Sequence, residues 1–491
     1  MTSETAAGEP RPEPRPRRPK SRADAQMELI RERIGGYAEP GPLDWERNGI
    51  QFWVRKDFIL VQDPYAQRAR TLLGDNDLLP EPPPPGEPGP PPPAEAAPPP
   101  GESAPPPPAE AADVPPPDRP EPGPVEPPPA EPRDGAMVYG LVWIRLRPDG
   151  GAQRAAALVN RWYRDAAKVD VLVHITSTAT SCPATEPVPV PLGTPADPGI
   201  TSDRRAGEGV TVVVVDTGLD RRTARLLPWL RGVRGDPDPG VGSGGRPHEP
   251  YAGHGTFIAG VIRTMAPRAR VVVRRGFPYA GSTFETELVA VLERVLDEDH
   301  PDVISLSAGA LGPDRDDLAV LTAFADTALR RHKGVVIVAA AGNDGRSAGF
   351  WPAAAPWTTS VGALAADWHR RARFSNHGGW VDVYAPGEDL INAFPAGRFR
   401  YRERKKFNRP VRFTGMARWS GTSFATPLVA GLIAARMSRT GENGATAAAA
   451  LVARGQANAI PGVGAVLRPG DDLPACHADG EGGHCRRSAC C

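Results

Sequence analysis

The chain has 491 residues, with 58 Lys and Arg against 58 Asp and Glu, and therefore a formal net charge of zero. This balance gives no overall electrostatic reason to expect binding to nucleic acid or to an anionic membrane. Five cysteines do not make a disulfide framework in a chain of this length. The 60 prolines and 53 glycines are spread unevenly, which predicts that only part of the chain folds.

The N-terminal residues, 1–25, are predicted to be a disordered tail. They carry charges but lack the apolar core of a secretory signal. Apolar runs elsewhere fall short of the roughly 18–20 residues that a transmembrane helix requires. We therefore expect a cytoplasmic protein without a membrane partner.

Two short segments near the N-terminus have the patterns of folded elements. Residues 49–74 read as a strand and then a helix, and residues 139–177 read as strand, helix, strand. We assign 26–75 and 136–180 to the two parts of one small α+β N-terminal region.

The stretch between these parts, residues 76–135, is dominated by Pro, Glu, Ala and Gly. This composition favours polyproline II and cannot bury a core, so it predicts a disordered linker. The linker is either a spacer or the ligand of a proline-binding partner.

The main folded part is predicted to span residues 205–460. Continuous apolar runs alternate with helical patterns, one of which covers 315–332. Another covers 282–300 and opens with Ser282 and Glu285, the spacing of a capping box. The alternation predicts an α/β domain, a parallel sheet with helices on both faces. The apolar runs lie at 209–218, 269–274, 302–307, 334–342 and 380–387.

Three chemically reactive residue types stand at the ends of predicted elements. Asp216 ends the first strand, His254 lies in GHGTFIAG before a helical run, and Ser423 lies in SGTSFATP at a helix start. In this fold class, chemistry collects at the carboxyl ends of the strands. A serine alone at a helix start would serve as an N-cap, but together the three residues predict a nucleophilic hydrolase.

The chemistry assigns a separate role to each side chain. A neutral imidazole can take the proton of the serine hydroxyl as the hydroxyl attacks, and a buried carboxylate fixes the imidazole tautomer. The oxyanion that forms needs donors, which Asn343 in AAAGNDG and the backbone N–H of Ser423 can provide.

Four of these segments together resemble the subtilisin-like serine peptidases, the subtilases. The match covers about residues 205–460 and comprises VVVVDTGLD at Asp216, GHGTFIAG at His254, AAAGND at Asn343 and SGTSFATP at Ser423. The resemblance implies a subtilisin-like fold, an endopeptidase acting on polypeptide substrates, and an acyl-enzyme intermediate. It also implies that the α+β region is a prodomain, the alternatives being an independent docking module or an edge layer on the peptidase. The polar, proline-rich composition of residues 178–199 makes that stretch the expected processing site.

The resemblance further implies where a substrate would bind. Its main chain would add as a strand alongside Ser307, Ala308 and Gly309, with the primary specificity pocket between that segment and AAGND, which contains Gly342. Ala308 is smaller than the residue usual in the family, so the preference of this pocket stays open. No cofactor is predicted, and no residue maps onto the calcium sites of the family.

Two departures from the family pattern surround the proposed triad. The stretch after Asp216 reads DRRTARLLPWL and lacks the usual His-Pro pair, and Phe257 stands where many relatives carry a second histidine.

Two further segments lie outside these motifs. In residues 397–413, Arg398, Arg400 and Arg402 alternate with aromatic residues, which would make a strand with one basic face. That strand is either an electrostatic guide for acidic ligands or a solvated hairpin. The tail at 461–491 contains Cys and His without the usual spacing of a structural zinc site, so we predict a flexible tail.

The alternative to a peptidase is a catalytically weak scaffold. It would keep the subtilase fold and bind a partner through its N-terminal and proline-rich regions.

Overall fold

The computed structural model describes residues 29–45, 50–81, 128–148, 150–175, 184–279, 281–313, 318–401 and 410–472. The predicted N-terminal tail, residues 473–491 of the predicted C-terminal tail and most of the proline-rich linker lie outside these residues. The chain divides into two compact units, one of residues 55–169 and the other of residues 1–54 and 170–491. The segments assigned to the N-terminal region, 26–75 and 136–180, are thus shared between the two units.

The strands are short at the periphery and longest in the main sheet. In chain order they are β1 (Ala38–Gly41), β2 (Phe52–Arg55), β3 (Phe58–Gln62), β4 (Met137–Val138), β5 (Leu141–Arg145), β6 (Ala167–Lys168), β7 (Leu172–His174), β8 (Val188–Val190), β9 (Thr211–Asp216), β10 (Arg234–Gly235), β11 (Pro247–His248), β12 (Arg270–Arg275), β13 (Ser282–Phe284), β14 (Val303–Leu306), β15 (Val336–Ala340), β16 (Thr358–Leu364), β17 (Val383–Pro386), β18 (Leu390–Ala393), β19 (Gly397–Phe399), β20 (Val411–Phe413) and β21 (Met416–Trp419).

The α-helices range from one and a half to five turns. They are α1 (Asp63–Asp75), α2 (Ala152–Trp162), α3 (Arg221–Leu226), α4 (His254–Met265), α5 (Glu285–Arg294), α6 (Ala319–Thr327), α7 (Thr422–Thr440) and α8 (Gly444–Ala457).

The smaller unit contains a four-stranded sheet in the order β4-β5-β3-β6, whose strands are antiparallel. Helices α1 and α2 bury small or aliphatic faces, with Leu73 on the first and Val159 on the second. Both helices read from the sequence are present, but two strands, β2 and β3, precede α1 where one was read, and two strands, β6 and β7, follow α2 where one was read. Whether the region is a prodomain stays a prediction.

The larger unit is built on a seven-stranded parallel sheet in the order β10-β12-β9-β14-β15-β16-β17. The five predicted strands are all present. Strand β9 lies in the interior of the sheet, and Val212, Val213, Val214 and Val215 are all buried although alternate side chains point to opposite faces. Burial on both faces is what a continuous β-branched run predicts.

Two helices that begin at the carboxyl end of this sheet pack against each other and against its strands. Helix α4 contacts β9 and β12, and α7 contacts β14, β15, β16 and β17. The aliphatic residues of α7 are almost entirely buried. The fold class predicted from the sequence is therefore confirmed, and the sheet positions the starts of α4 and α7 near the end of β9.

The predicted helix over 282–300 begins later than its capping pattern indicates. Residues Ser282–Phe284 form strand β13, and the helix begins at Glu285. The Glu285 carboxylate instead accepts hydrogen bonds from the backbone N–H groups of Val320 and Leu321, at 2.6 and 2.8 Å. It thus caps helix α6, a tertiary contact that sequence spacing does not reveal.

The arginine-rich segment forms the hairpin β19–β20, with residues 402–409 outside the described part. Phe399 and Tyr401 are buried in the main core, whereas Arg398 and Arg400 are exposed. This arrangement supports the solvated hairpin. Within the described ranges, no helix combines the length and apolar character needed to cross a bilayer.

Candidate active site

The predicted triad residues come from three elements of the main unit. Asp216 is the last residue of β9, His254 is the first residue of α4, and Ser423 is the second residue of α7. The N-cap position of α7 is occupied by Gly421. Ser423 therefore lies inside the helix and is not its N-cap.

His254 and Asp216 form a fully buried pair. His254 Nδ1 lies 2.8 Å from Asp216 Oδ1 and 2.9 Å from Oδ2. The carboxylate also accepts a hydrogen bond from the Thr217 N–H at 2.8 Å. Because Nδ1 faces the carboxylate, Nε2 is the nitrogen that can act as a base.

The other two reacting atoms of the triad have no hydrogen-bond partner in the described ranges. His254 Nε2 and Ser423 Oγ are both buried and unbonded among the residues that the structure describes. A buried polar group without a partner costs about 1–3 kcal/mol. Such groups persist where a substrate or a catalytic step uses them.

An aromatic cluster supports the imidazole. The His254 ring lies edge-on to Trp419 at a centroid distance of 5.5 Å and beside Phe424 at 5.3 Å. Phe257, one turn further along α4, packs against both of these rings. Where many relatives carry a second histidine, Phe257 therefore adds an apolar ring to this cluster.

A second buried carboxylate, Asp238, contacts residues next to the pair, and it was not predicted from the sequence. Asp238 accepts hydrogen bonds from Gly253 N at 2.7 Å, Gly240 N at 3.0 Å and Thr217 Oγ1 at 3.0 Å. Burial, with the charge of Asp216 as a smaller cause, raises the pKa of Asp238 to about 6. Its contacts link the residue after Asp216 to the residue before His254.

Asn343 is held by the same helix that carries Ser423. Its Oδ1 accepts hydrogen bonds from Thr422 N at 2.9 Å and Thr422 Oγ1 at 3.1 Å. The amide is thereby oriented, and Nδ2 is the group able to donate to a substrate oxygen.

The predicted binding segment lies directly beside the serine. Ser307 Oγ donates to the Ser423 carbonyl oxygen at 2.9 Å, and Ser307 and Ala308 are buried. Gly342 has φ +94°, which favours glycine, and its N–H donates to Thr422 Oγ1. The predicted site residues thus come from segments that contact one another or the start of helix α7. These residues are Ser307, Ala308, Gly309, Gly342, Asn343 and Ser423.

A strand of the chain itself occupies the edge predicted for substrate. His174 in β7 exchanges both main-chain hydrogen bonds with Gly309, at 3.1 and 2.9 Å. On its other side β7 pairs antiparallel with β13, and Ile175 N donates to Gly281 O at 2.9 Å. The edge beside Gly309 therefore accepts an extended chain by backbone hydrogen bonding.

No metal cluster is found in the described ranges, where no group of three or more His, Cys, Asp or Glu could hold an ion. The predicted Cys- and His-containing tail begins at 461, and its residues from 473 onward lie outside those ranges.

Comparison with known families gives a match over the larger unit. The model described as the Subtilase family matches residues 207–460, slightly more than half of the chain. This range contains the four motifs and excludes both parts of the predicted N-terminal region.

Curated relatives agree with this match. A subtilisin-like protease of Coccidioides posadasii is 34% identical over 249 residues, which are 48% of this chain and 54% of that protein. A thermophilic serine proteinase of Bacillus sp. (strain AK1) is 31% identical over 253 residues, 49% of this chain and 54% of that protein. The chain spans about half the length of the curated relatives it matches.

Two solved structures are similar over a comparable region. A mutant of the protease domain of PatA is 25% identical and covers 55% of this chain and 96% of its own, with a TM-score of 0.44. Fervidolysin from Fervidobacterium pennivorans is 20% identical and covers 68% of this chain and 56% of its own, with a TM-score of 0.47.

Proposed function

Because the chain belongs to the subtilase family, we propose that it is a serine endopeptidase that hydrolyses peptide bonds through Asp216, His254 and Ser423. The observation that carries the proposal is the buried Asp216–His254 pair. Its Nε2 atom and Ser423 Oγ are both buried without a hydrogen-bond partner among the described residues.

In the first half of the reaction, Ser423 Oγ bonds to the carbonyl carbon of the substrate while its proton passes to His254 Nε2. Asp216 stabilises the resulting imidazolium. The negative charge that develops on the carbonyl oxygen is met by Asn343 Nδ2 and the Ser423 N–H. Collapse breaks the C–N bond, and His254 returns the proton to the leaving nitrogen, which leaves an acyl group on Ser423.

In the second half, water attacks the ester carbon and gives a proton to His254 Nε2. The tetrahedral intermediate collapses with cleavage of the bond to Ser423 Oγ, which recovers the proton from the imidazolium. The products are the two halves of the peptide and unchanged enzyme. Every proton transfer uses the same nitrogen, which agrees with Nδ1 being held by Asp216 throughout.

The proposal includes restraint of the enzyme by its N-terminal region. Support comes from β7, whose His174 pairs with Gly309 in the manner expected of a substrate main chain. A substrate in trans must displace this strand before it can use the same hydrogen bonds. Polypeptide is the substrate class because the edge recognises main-chain N–H and C=O groups.

A fluorophosphonate probe tests the proposal directly. We expect the wild-type chain to be labelled on Ser423 and Ser423→Ala to remain unlabelled. Ser305→Ala is a matched control, because Ser305 is also a buried serine whose Oγ has no hydrogen-bond partner among the described residues. Unlabelled wild-type protein, after the N-terminal region has been removed, would favour the scaffold instead.

A further inference from the structure

The register of β7 locates the side chain that a peptidase substrate would place beside Ser423. His174 lies opposite Gly309 in an antiparallel pair. In such a pair, the residue two positions later along the strand lies opposite Ser307, two positions earlier along the edge. Ser307 Oγ is hydrogen-bonded to the Ser423 carbonyl oxygen. The residue opposite Ser307 is therefore the one placed nearest the nucleophile.

The space expected to receive that side chain lies between Ser307–Gly309 and the segment containing Gly342, and an aromatic ring enters it. A Cβ added to Gly309 would overlap Phe350 Cε1, and a Cβ added to Gly342 would lie 3.0 Å from Phe350 Cγ and Cδ1. Phe350 thus contacts both backbone walls. Its exposed fraction is 2%, so the ring is enclosed.

The backbone around Phe350 is fixed by its neighbours. Ala310 and Trp351 exchange two main-chain hydrogen bonds, at 2.8 and 2.9 Å, and Ala354 N donates to Phe350 O at 2.9 Å. These bonds tie the residue after Phe350 to the residue after Gly309. The ring cannot leave the space by a shift of its own backbone without breaking this pairing.

We propose that Phe350 is the specificity-determining residue of this enzyme, forming the floor of a shallow primary pocket that admits Gly, Ala, Ser or Thr and excludes large side chains. The proposal rests on the proposed peptidase function. An interior is close-packed, so a ring that already contacts both walls leaves little volume for a second large group. Overpacking such a site is unfavourable.

The sequence after β7 agrees with a small side chain at this position. Residues 176–182 read TSTATSC, all of them small, and they lie outside the residues that the structure describes. The seven residues that follow Ile175 are thus all small, as a shallow pocket requires of the residue opposite Ser307.

The test measures kcat/KM on a series of peptide p-nitroanilides that differ only in the residue before the scissile bond, Ala, Thr, Leu or Phe. We expect wild type to prefer Ala over Phe by roughly 10²-fold, and Phe350→Gly to shift the Phe to Ala ratio upward by roughly 10²-fold. Phe350→Ala is a second, less disruptive variant that should shift the ratio in the same direction.

Phe324→Ala is the matched control, because Phe324 is an equally buried phenylalanine, on helix α6. It should leave the Phe to Ala ratio unchanged. Wild-type hydrolysis of the Phe substrate as fast as the Ala substrate overturns the inference alone. Failure of wild type to cleave any member, together with an unlabelled Ser423, overturns the proposed function and this inference with it.

Discussion

Two groups of residues meet at this site. One acts through its side chains and the other through its main chain. The first, comprising Asp216, His254, Asn343 and Ser423, presents side-chain atoms of defined chemistry. The second, the segment from Ser307 to Gly309, presents main-chain N–H and C=O groups, of which those of Gly309 already pair with His174 in β7. Catalysis therefore depends on residue identity, whereas binding depends on backbone geometry and on the volume left free.

The sharpest way to separate the two groups is to remove the nucleophile. Ser423→Ala and His254→Ala should each lower kcat by about 10⁶-fold, because the two side chains act as one unit. Steady-state hydrolysis of a small peptide substrate, with Ser305→Ala as the control of unchanged activity, measures this. A mutant that retains more than roughly a tenth of wild-type activity cannot be reconciled with this assignment.

Asn343 tests whether a side chain of the first group acts only on the transition state. Asn343→Ala should lower kcat by about 10²–10³-fold with little change in KM, because the hydrogen bond strengthens as charge develops. Thr422→Val is the control, since it removes the Oγ1 hydrogen bonds to Asn343 Oδ1 and from Gly342 N–H but leaves the Asn343 Nδ2 donor. If KM rose and kcat stayed constant, Asn343 would belong with the binding group.

The second group is tested through the strand that occupies it. His174→Pro removes the N–H that donates to Gly309 O. Hydrolysis of a small substrate in trans by the uncleaved chain should rise by about 5–10-fold, the equivalent of one hydrogen bond. His174→Ala keeps this N–H and should activate less. Equal activities of the two variants would show that β7 does not compete through its backbone.

Self-cleavage follows from the same pairing. Purified wild-type chain should be cut after a small residue shortly beyond Ile175, and Ser423→Ala should stay intact. Mass spectrometry of both proteins detects this. An intact wild-type chain that is fully active without residues 1–180 would argue for a docking module in place of a prodomain.

The effect expected of Asp238 is on stability. Unfolded, this carboxyl titrates near 3.8, whereas in the fold burial raises its pKa to about 6. The folded state therefore binds the proton more tightly, and stability falls as pH rises from about 4 to 6. At about 1.36 kcal/mol per pH unit, the loss is about 3 kcal/mol above pH 6.

Urea unfolding of wild type and Asp238→Asn at pH 4 and pH 7.5 measures this loss. Since the variant cannot titrate at this position, the stability of wild type relative to Asp238→Asn should decrease between the two pH values. A difference that is independent of pH would mean that Asp238 titrates normally.

The sequence permitted prediction of the strands and the catalytic side chains for a physical reason. Strands such as β9 are continuous β-branched runs because both faces are buried, and the motifs around His254 and Ser423 keep reactive groups next to small residues. Strand β16 was not predicted as an element. Its segment, Thr358–Leu364, contains Thr, Ser and Gly, which weaken the apolar signal.

The residues that were missed are those whose role depends on a distant neighbour. Glu285 has the spacing of a capping box but caps α6 instead. Asp238 lies in a proline-rich turn and contacts the triad segments only after folding. Phe350 looks like any apolar residue in a loop, and its position between Gly309 and Gly342 becomes visible only in three dimensions.

The covalent connection of β7 to the domain it occupies has a kinetic consequence. Displacement of a tethered strand is a first-order event, so the fraction of molecules with an open edge does not change on dilution. A separate inhibitor would instead dissociate as the protein concentration fell. Inhibition of the peptidase site by β7 would therefore be the same in a dilute and in a concentrated solution. It would depend on concentration only after the chain that connects β7 to the domain had been cut.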